Sequence, residues 1–262
     1  VSGVSWYQSV PLPGGIVTAG EYDTCAELAR VPFRPSLEGM RCLDVGTADG
    51  FWAFEMERRG AAEVVAVDVG DTMRWDWPGN TPRTRQVAFA RDVTDLKDGF
   101  EIAHHALESK VKRLDSTVYE LSPEVVGEFD FVFVGSMLLH VRDPVAAIAA
   151  VGSVLRGELL SVDAISPPLT LLHPWQPIAR LEAHGHPMWW AMNLKTYRRL
   201  FDAAGLEIIE SGSPFFVKRG LRSNGGAPHK ASSLYQRVRT RAISRVGILH
   251  AWVRAQPKSA AG

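Results

Sequence analysis

The sequence predicts an α/β fold: a doubly wound, seven-stranded, mostly parallel sheet with an N-terminal arm and a lid-like insertion. Three observations predict it. Short apolar runs alternate with helical patterns between residues 37 and 165. Within that span, RCLDVG, DGFWAFEMERRG and EVVAVDVG read as strand, helix and strand in about 30 residues, the length of a right-handed βαβ unit. The polar stretches that close the apolar runs, VGTADG, DVGD, STVYEL and GSMLLH, would then lie along one rim, at the carboxyl ends of the strands.

The elements follow in order. Residues 1–36 are rich in turns (PLPGG, VPFRP) and read as an arm laid over the core. After the βαβ unit comes DTMRWDWPGNTPRTRQ, a loop broken by Pro and Gly, then DLKDGFEIAHHALESK, an amphipathic helix. STVYEL is the expected third strand and FDFVFVGSMLLH the fourth. DPVAAIAAVGSVL is a helix with Asp143 as N-cap and Pro144 at its first position. GELLSVDAIS is the fifth strand. Residues 166–192 break the alternation and read as an insertion over the site. NLKTYRRLFDAAG is a helix closed by Gly205, LEIIESGSPFFV and GILHAWVRA are the last strands, and SSLYQRVRTRAISR between them is a basic helix.

The length of 262 residues suits a single domain spanning 1–262: the arm, a core at 37–165, the insertion at 166–192 and C-terminal elements at 193–257. Apolar residues make up 46% of the chain, enough for a large core. No apolar run of about 18 residues suggests a membrane helix, and VSGVSWYQSV does not read as a signal peptide. Cys25 and Cys42 are too few for a disulfide scaffold or a zinc cluster, so reduced thiols in a cytoplasm are expected. Net charge is zero, yet Lys218–Gly262 hold ten Lys or Arg and no acid, leaving −10 on the rest. Such asymmetry fits a basic face packed against the protein's own acids, or a surface for an anionic partner.

The turn LDVGTADGFW carries the cofactor argument. Gly46 allows tight reversal and Gly50 close helix packing. A pyrophosphate site needs a glycine where Ala48 stands, and Asp49 beside it would repel phosphate. The P-loop Lys-Ser/Thr pair is missing. S-adenosylmethionine, with no phosphate, fits better: Asp44 suits its ammonium, backbone N–H groups its carboxylate, and Asp68, 18 residues after Gly50, its ribose hydroxyls. The turn contributes Asp44, Gly46, Thr47, Ala48 and Gly50 as cofactor-binding candidates, and the second strand contributes Asp68 and Val69.

LDVGTADGFWAFEMERRGAAEVVAVDV resembles the first motif and acidic loop of class I S-adenosylmethionine-dependent methyltransferases, which have a Rossmann-like sheet. FDFVFVGSMLLHVRDP is similar to that family's fourth strand and following loop. By motif position the resemblance implies Thr117 and Val118 at the adenine, and Gly135 and Ser136 at the methionine part. More narrowly, WYQSVPLPGGIVTAGEYD, MWWAMNLKTYRRLFDAAGL and HAWVRAQP resemble the tRNA wobble-uridine carboxymethyltransferase-like branch. That branch is expected to read an extra cofactor carboxylate with a Tyr and an Arg, but this chain has Leu139 and Leu249 there. Ordinary S-adenosylmethionine and methyl transfer are therefore expected, since a buried carboxylate without donors is costly.

His140, after the fourth strand, is the candidate general base, or else a histidine that only braces its loop. His184, His186, Trp189 and Trp190 in the insertion, with Trp6, Tyr7, Trp75 and Trp77, are candidates for an aromatic substrate pocket, though many of the eight tryptophans would be packing residues. His104 and His105 diverge on a helix, and no metal constellation is expected. The leading reading is methyl transfer to an O or N of a small molecule. A tRNA methyltransferase using Arg237, Arg239, Arg241 and Arg245 on phosphates is less favoured, as is a protein that binds the cofactor without transferring the methyl group. No membrane partner is expected, and the sequence leaves the oligomeric state open.

Overall fold

A computed structural model describes residues 4–93, 95–183, 187–220 and 246–258. The expected basic helix at 232–245, with its four arginines, lies outside the described residues, as do His184 and His186.

The main sheet contains β1 (Arg41–Val45), β2 (Glu63–Asp68), β3 (Lys112–Asp115), β4 (Phe129–Gly135), β5 (Leu155–Ala164), β6 (Leu206–Ser211), β7 (Phe215–Val217) and β8 (Ile248–Pro257). Their spatial order is β6-β8-β5-β4-β1-β2-β3, with β7 also paired to β8. The pairs from β3 through β5 are parallel, and those to β8 are antiparallel. The order reverses between β1 and β4, so a crevice opens above their carboxyl ends.

Alternation along the strands feeds two cores. Leu43, Val65, Val67, Val132, Val134 and Leu159 face α4 (Pro144–Ser153) and α5 (Leu194–Ala203). Cys42, Val64, Ala66, Phe131, Phe133 and Leu160 face the arm, α1 (Phe51–Arg58) and α3 (Asp95–Ala106). Helix α2 (Arg83–Val93) precedes α3. Asp143 caps α4 by accepting from Ala146 N at 2.9 Å, and Asn193 caps α5 by accepting from Thr196 N at 2.8 Å.

Three expectations are corrected. STVYEL is not the third strand: β3 is the preceding Lys112–Asp115, and Val118–Glu120 form a 3₁₀ turn. The Thr-x-x-Glu pattern explains this, because Thr117 and Glu120 close a capping box in which Glu120 accepts from Thr117 N at 2.8 Å. LEIIESGSPFFV is two strands, giving eight rather than seven. The break falls at Gly212, where an added Cβ would sit 2.3 Å from the Trp252 indole, so glycine is needed for that approach. The insertion is not wholly irregular: Ser166 caps a short helix, Pro167–Leu172, and Ala179–Leu181 pairs antiparallel with Trp190–Met192.

The arm crosses the α1 side. Trp6–Gln8 pairs with Gly20–Tyr22, and Pro11–Leu12 with Ile16–Val17. Described members of the basic C-terminal segment pair with the protein's own acids: Arg219 with Glu21, Arg254 with Glu158 and Glu210, and Lys258 with Asp202. No helix among the described residues is long and apolar enough to cross a membrane.

Gly50, at the start of α1, has φ +91°, and a Cβ there would lie 2.6 Å from Phe54 and 2.7 Å from Phe100. Gly50→Ala is expected to cost ~2–3 kcal/mol, from left-handed strain plus overpacking. Urea unfolding measures it; a loss below ~0.5 kcal/mol would contradict this packing.

Candidate functional site

The site is built on the turn after β1. Gly46 N and Thr47 N both donate to Val67 O, at 2.8 and 3.2 Å. Ala48 N donates to Asp68 Oδ2 at 2.7 Å, and Val69 N to Asp68 Oδ1 at 2.7 Å. The end of β2 thus dictates the turn's shape. Gly46 and Ala48 are left-handed, at φ +77° and +50°. Thr47 donates its hydroxyl to Asp44 Oδ2 at 2.7 Å. Each Asp68 oxygen keeps a free lone pair in this arrangement, which a ribose hydroxyl can use.

Asp49 differs from the sequence expectation. Its carboxylate does not face a ligand at the turn. Oδ2 accepts from Tyr7 N at 2.6 Å and Gln8 N at 2.7 Å, pinning the arm. Gln8 returns the contact, its Oε1 accepting from Phe51 N at 3.0 Å at the open N-terminus of α1. Asp49 Oδ1 is buried without a hydrogen-bond partner. Burial pushes this carboxyl up to about 7, against the lowering effect of the two backbone donors.

Other acids line the strand ends near the turn. Asp44 and Asp163, at 1% and 0% exposure, are each pushed up to about 7 by burial. Asp68 is raised as well, again chiefly by burial. Asp163 lies at the end of β5 and accepts from Leu138 N and Ala164 N, both at 2.7 Å. A ligand bearing positive charge relieves the cost of ionising these groups, whereas a doubly charged pyrophosphate raises it. S-adenosylmethionine, a sulfonium with an ammonium, fits this set.

The other rim candidates fall as follows. Thr117 and Val118 open the 3₁₀ turn after β3, with Val118 buried in the α4-side core. Gly135 ends β4, and Ser136 follows at φ +50°. Ser136 Oγ lies 3.1 Å from His250 Nε2. His250 Nδ1 lies 2.9 Å from Ile248 O, a carbonyl that can only accept, so Nδ1 carries the proton and Nε2 takes the serine hydroxyl. Burial pushes His250 down to about 4, which keeps it neutral.

His140 is held in the same manner. Its Nδ1 lies 2.5 Å from Pro187 O in the insertion. Nδ1 is therefore the donor, and Nε2 bears a lone pair. Burial lowers its pKa below the ordinary 6.5. Trp189 and Trp190 border this loop, both N–H groups donating to Leu139 O at 2.8 and 3.3 Å. Their indoles donate to Asp76 O at 2.6 Å and Arg142 O at 3.1 Å.

Through Asp76 O the Trp189 indole reaches the loop that carries Trp75 and Trp77. Trp6 is 2% exposed inside the arm-side core, so it is a packing residue rather than a pocket wall. The rings of Trp75 and Trp77 pack on Phe89, with centroids 5.9 and 5.5 Å apart. Tyr7 packs on Tyr22 at 4.9 Å, and burial raises both phenols. Sequence reasoning missed Gln8, Asp76, Asp163 and the His250–Ser136 pair. Only Asp163 carried a local signal, as an acid closing an apolar strand. Among the described residues no group of three His, Cys, Asp or Glu is arranged to hold a metal ion.

The raised carboxyl of Asp49 gives a pH dependence. Its folded pKa of about 7 exceeds the ordinary 3.8, so ionisation costs stability progressively as pH rises through that window. Asp49→Asn keeps an oxygen for the arm and removes the charge. Stability of the variant relative to the natural protein should rise between pH 4 and 7; a constant difference by urea unfolding would show that Asp49 ionises freely.

A family model described as a methyltransferase domain matches residues 19–211. The ubiquinone biosynthesis O-methyltransferase of Azotobacter vinelandii is 34% identical over 114 residues, which are 44% of this chain and 39% of that protein. The enzyme of that name from Xanthomonas campestris pv. campestris is 35% identical over 129 residues, covering 48% and 43%. The chain therefore spans less than half the length of these relatives, and neither bears the name of the wobble-uridine branch. Magnesium protoporphyrin IX methyltransferase from Synechocystis, solved with S-adenosylhomocysteine, has the same fold at TM-score 0.50 and 14% identity, over 85% of this chain and 76% of that one. The family match covers most of the chain and meets a βαβ turn whose acids suit a phosphate-free cationic cofactor: the protein belongs to the class I S-adenosylmethionine-dependent methyltransferases.

Proposed function

We propose that the protein methylates an acidic hydroxyl, of the phenol or catechol class, on a small apolar acceptor, with His140 as general base. The observation that carries this reading is the 2.5 Å contact between His140 Nδ1 and Pro187 O, which leaves Nε2 as the proton-accepting atom. Burial weakens that base, so it suits a phenolic hydroxyl, of pKa ~10, better than a far less acidic alcohol. Trp189 and Trp190 beside it suit a flat acceptor. The relatives named as ubiquinone biosynthesis O-methyltransferases point the same way.

In this reading S-adenosylmethionine supplies an electrophilic methyl group. Asp68 receives the ribose hydroxyls, while Gly46, Thr47, Ala48, Gly50 and Val69 shape the backbone around the nucleoside. Thr117 and Val118 border the adenine. Asp44, Gly135 and Ser136 meet the methionine part, the serine hydroxyl being turned by His250 so that its oxygen can accept from the ammonium. His140 Nε2 takes the acceptor's proton as the oxygen attacks. The tRNA reading, whose Arg237, Arg239, Arg241 and Arg245 lie outside the described residues, is less favoured because the chain before Lys218 carries a net charge of −10. The free cysteines, Cys25 and Cys42, agree with a reducing cytoplasm.

The test is incubation with S-adenosylmethionine and catechol, followed by mass spectrometry for methylcatechol and S-adenosylhomocysteine. Turnover is expected, with an acid limb in kcat below pH 6.5 because burial lowers His140. His140→Ala should reduce kcat roughly 100-fold or more and abolish that limb. Equal rates for the two proteins would remove His140 from the mechanism.

A further inference from the structure

His140 owes its orientation to a segment outside the cofactor core. Pro187, which accepts from Nδ1, lies two residues before Trp189 in the 166–192 insertion. Its ring restricts φ, so its carbonyl has little freedom once the neighbouring residues are fixed. Those neighbours are tied to the rim at several points. Trp189 N and Trp190 N donate to Leu139 O, adjoining His140 in the chain. Trp189 Nε1 donates to Asp76 O at 2.6 Å.

Asp76 is itself a junction. Its Oδ2 accepts from Arg142 N at 2.8 Å and from Tyr119 OH at 2.6 Å. The Tyr119 oxygen in turn accepts from Asp143 N at 3.0 Å, at the cap of α4. The loops after β2, β3 and β4 and the insertion thus meet at one residue, the insertion on the Asp76 carbonyl and the other two loops on its carboxylate. None of these contacts involves the turn after β1.

We propose that Trp189, Asp76 and Tyr119 are positioning residues for His140: they seat Pro187 O against Nδ1 and so fix the imidazole tautomer that leaves Nε2 as the base. The catalytic consequence rests on the reading of His140 as base; the tautomer does not. Without the anchor, His140 loses its fixed acceptor and distributes between both tautomers, and only one of them presents a lone pair at Nε2.

The experiment is ¹⁵N NMR of the His140 imidazole in Trp189→Phe, which keeps the ring and removes the indole N–H. Tyr119→Phe is the second variant, at a residue 36% exposed whose loss does not threaten the core. The natural protein should show one tautomer protonated at Nδ1. Both variants should show tautomer exchange, with kcat toward catechol about tenfold lower for Trp189→Phe and KM for S-adenosylmethionine unchanged. An imidazole spectrum unchanged in both folded variants overturns the inference. Tautomer exchange at undiminished kcat upholds the anchor and refutes His140 as the base.

Discussion

The carboxylate of Asp68 organises the site. It closes β2 and accepts from Ala48 N, while the preceding Val67 carbonyl takes Gly46 N and Thr47 N. The amides at the start of the turn after β1 are thereby committed to the neighbouring strand. A stretch with three left-handed residues, Gly46, Ala48 and Gly50, would otherwise be unfavourable, and the alanine alone costs ~1 kcal/mol or more in that region. The parallel pairing of β1 with β2 offsets that strain and places Asp68 beside the turn. Ala48 is therefore compatible with the turn's tight geometry.

A second layer of contacts depends on this turn. Asp49, pointing away from the crevice, captures the arm through Tyr7 and Gln8, and Gln8 satisfies the first turn of α1. The acids that remain at the strand ends, Asp44, Asp68 and Asp163, are buried, and burial raises the pKa of each. Such a set of buried carboxyls favours a cationic ligand, because positive charge offsets the cost of ionising them. The surface shows the opposite economy: described basic residues of the C-terminal segment neutralise acids on the body, which accounts for part of the charge asymmetry along the chain.

Much of this was legible in the residues. The βαβ unit, the glycine turn, Asp68 and the caps of α4 and α5 are local patterns, and each lies where its pattern implies. The failures have physical reasons. Apolar content drew the third strand toward STVYEL, but β3 is a polar edge strand, and the capping box of Thr117 and Glu120 curls the more strand-like stretch. The role of Asp49 depends on partners 41 and 42 residues away, which no spacing rule reaches. Asp76 is equally mute in sequence, since its partners Tyr119, Arg142 and Trp189 come from three other segments. Tryptophan content drew Trp6 toward a substrate pocket, yet it is buried in the arm-side core.

The most direct measurement is calorimetric titration of S-adenosylhomocysteine into the natural protein and Asp68→Ala. Asp68 both shapes the turn and offers charged acceptors to the ribose, so its loss should weaken binding roughly 100-fold, the worth of two charge-assisted hydrogen bonds at their lower range. Unfolding by circular dichroism should show the variant folded. Equal affinity in the two folded proteins would contradict the account, because the nucleoside would then be held somewhere other than the turn that Asp68 clamps.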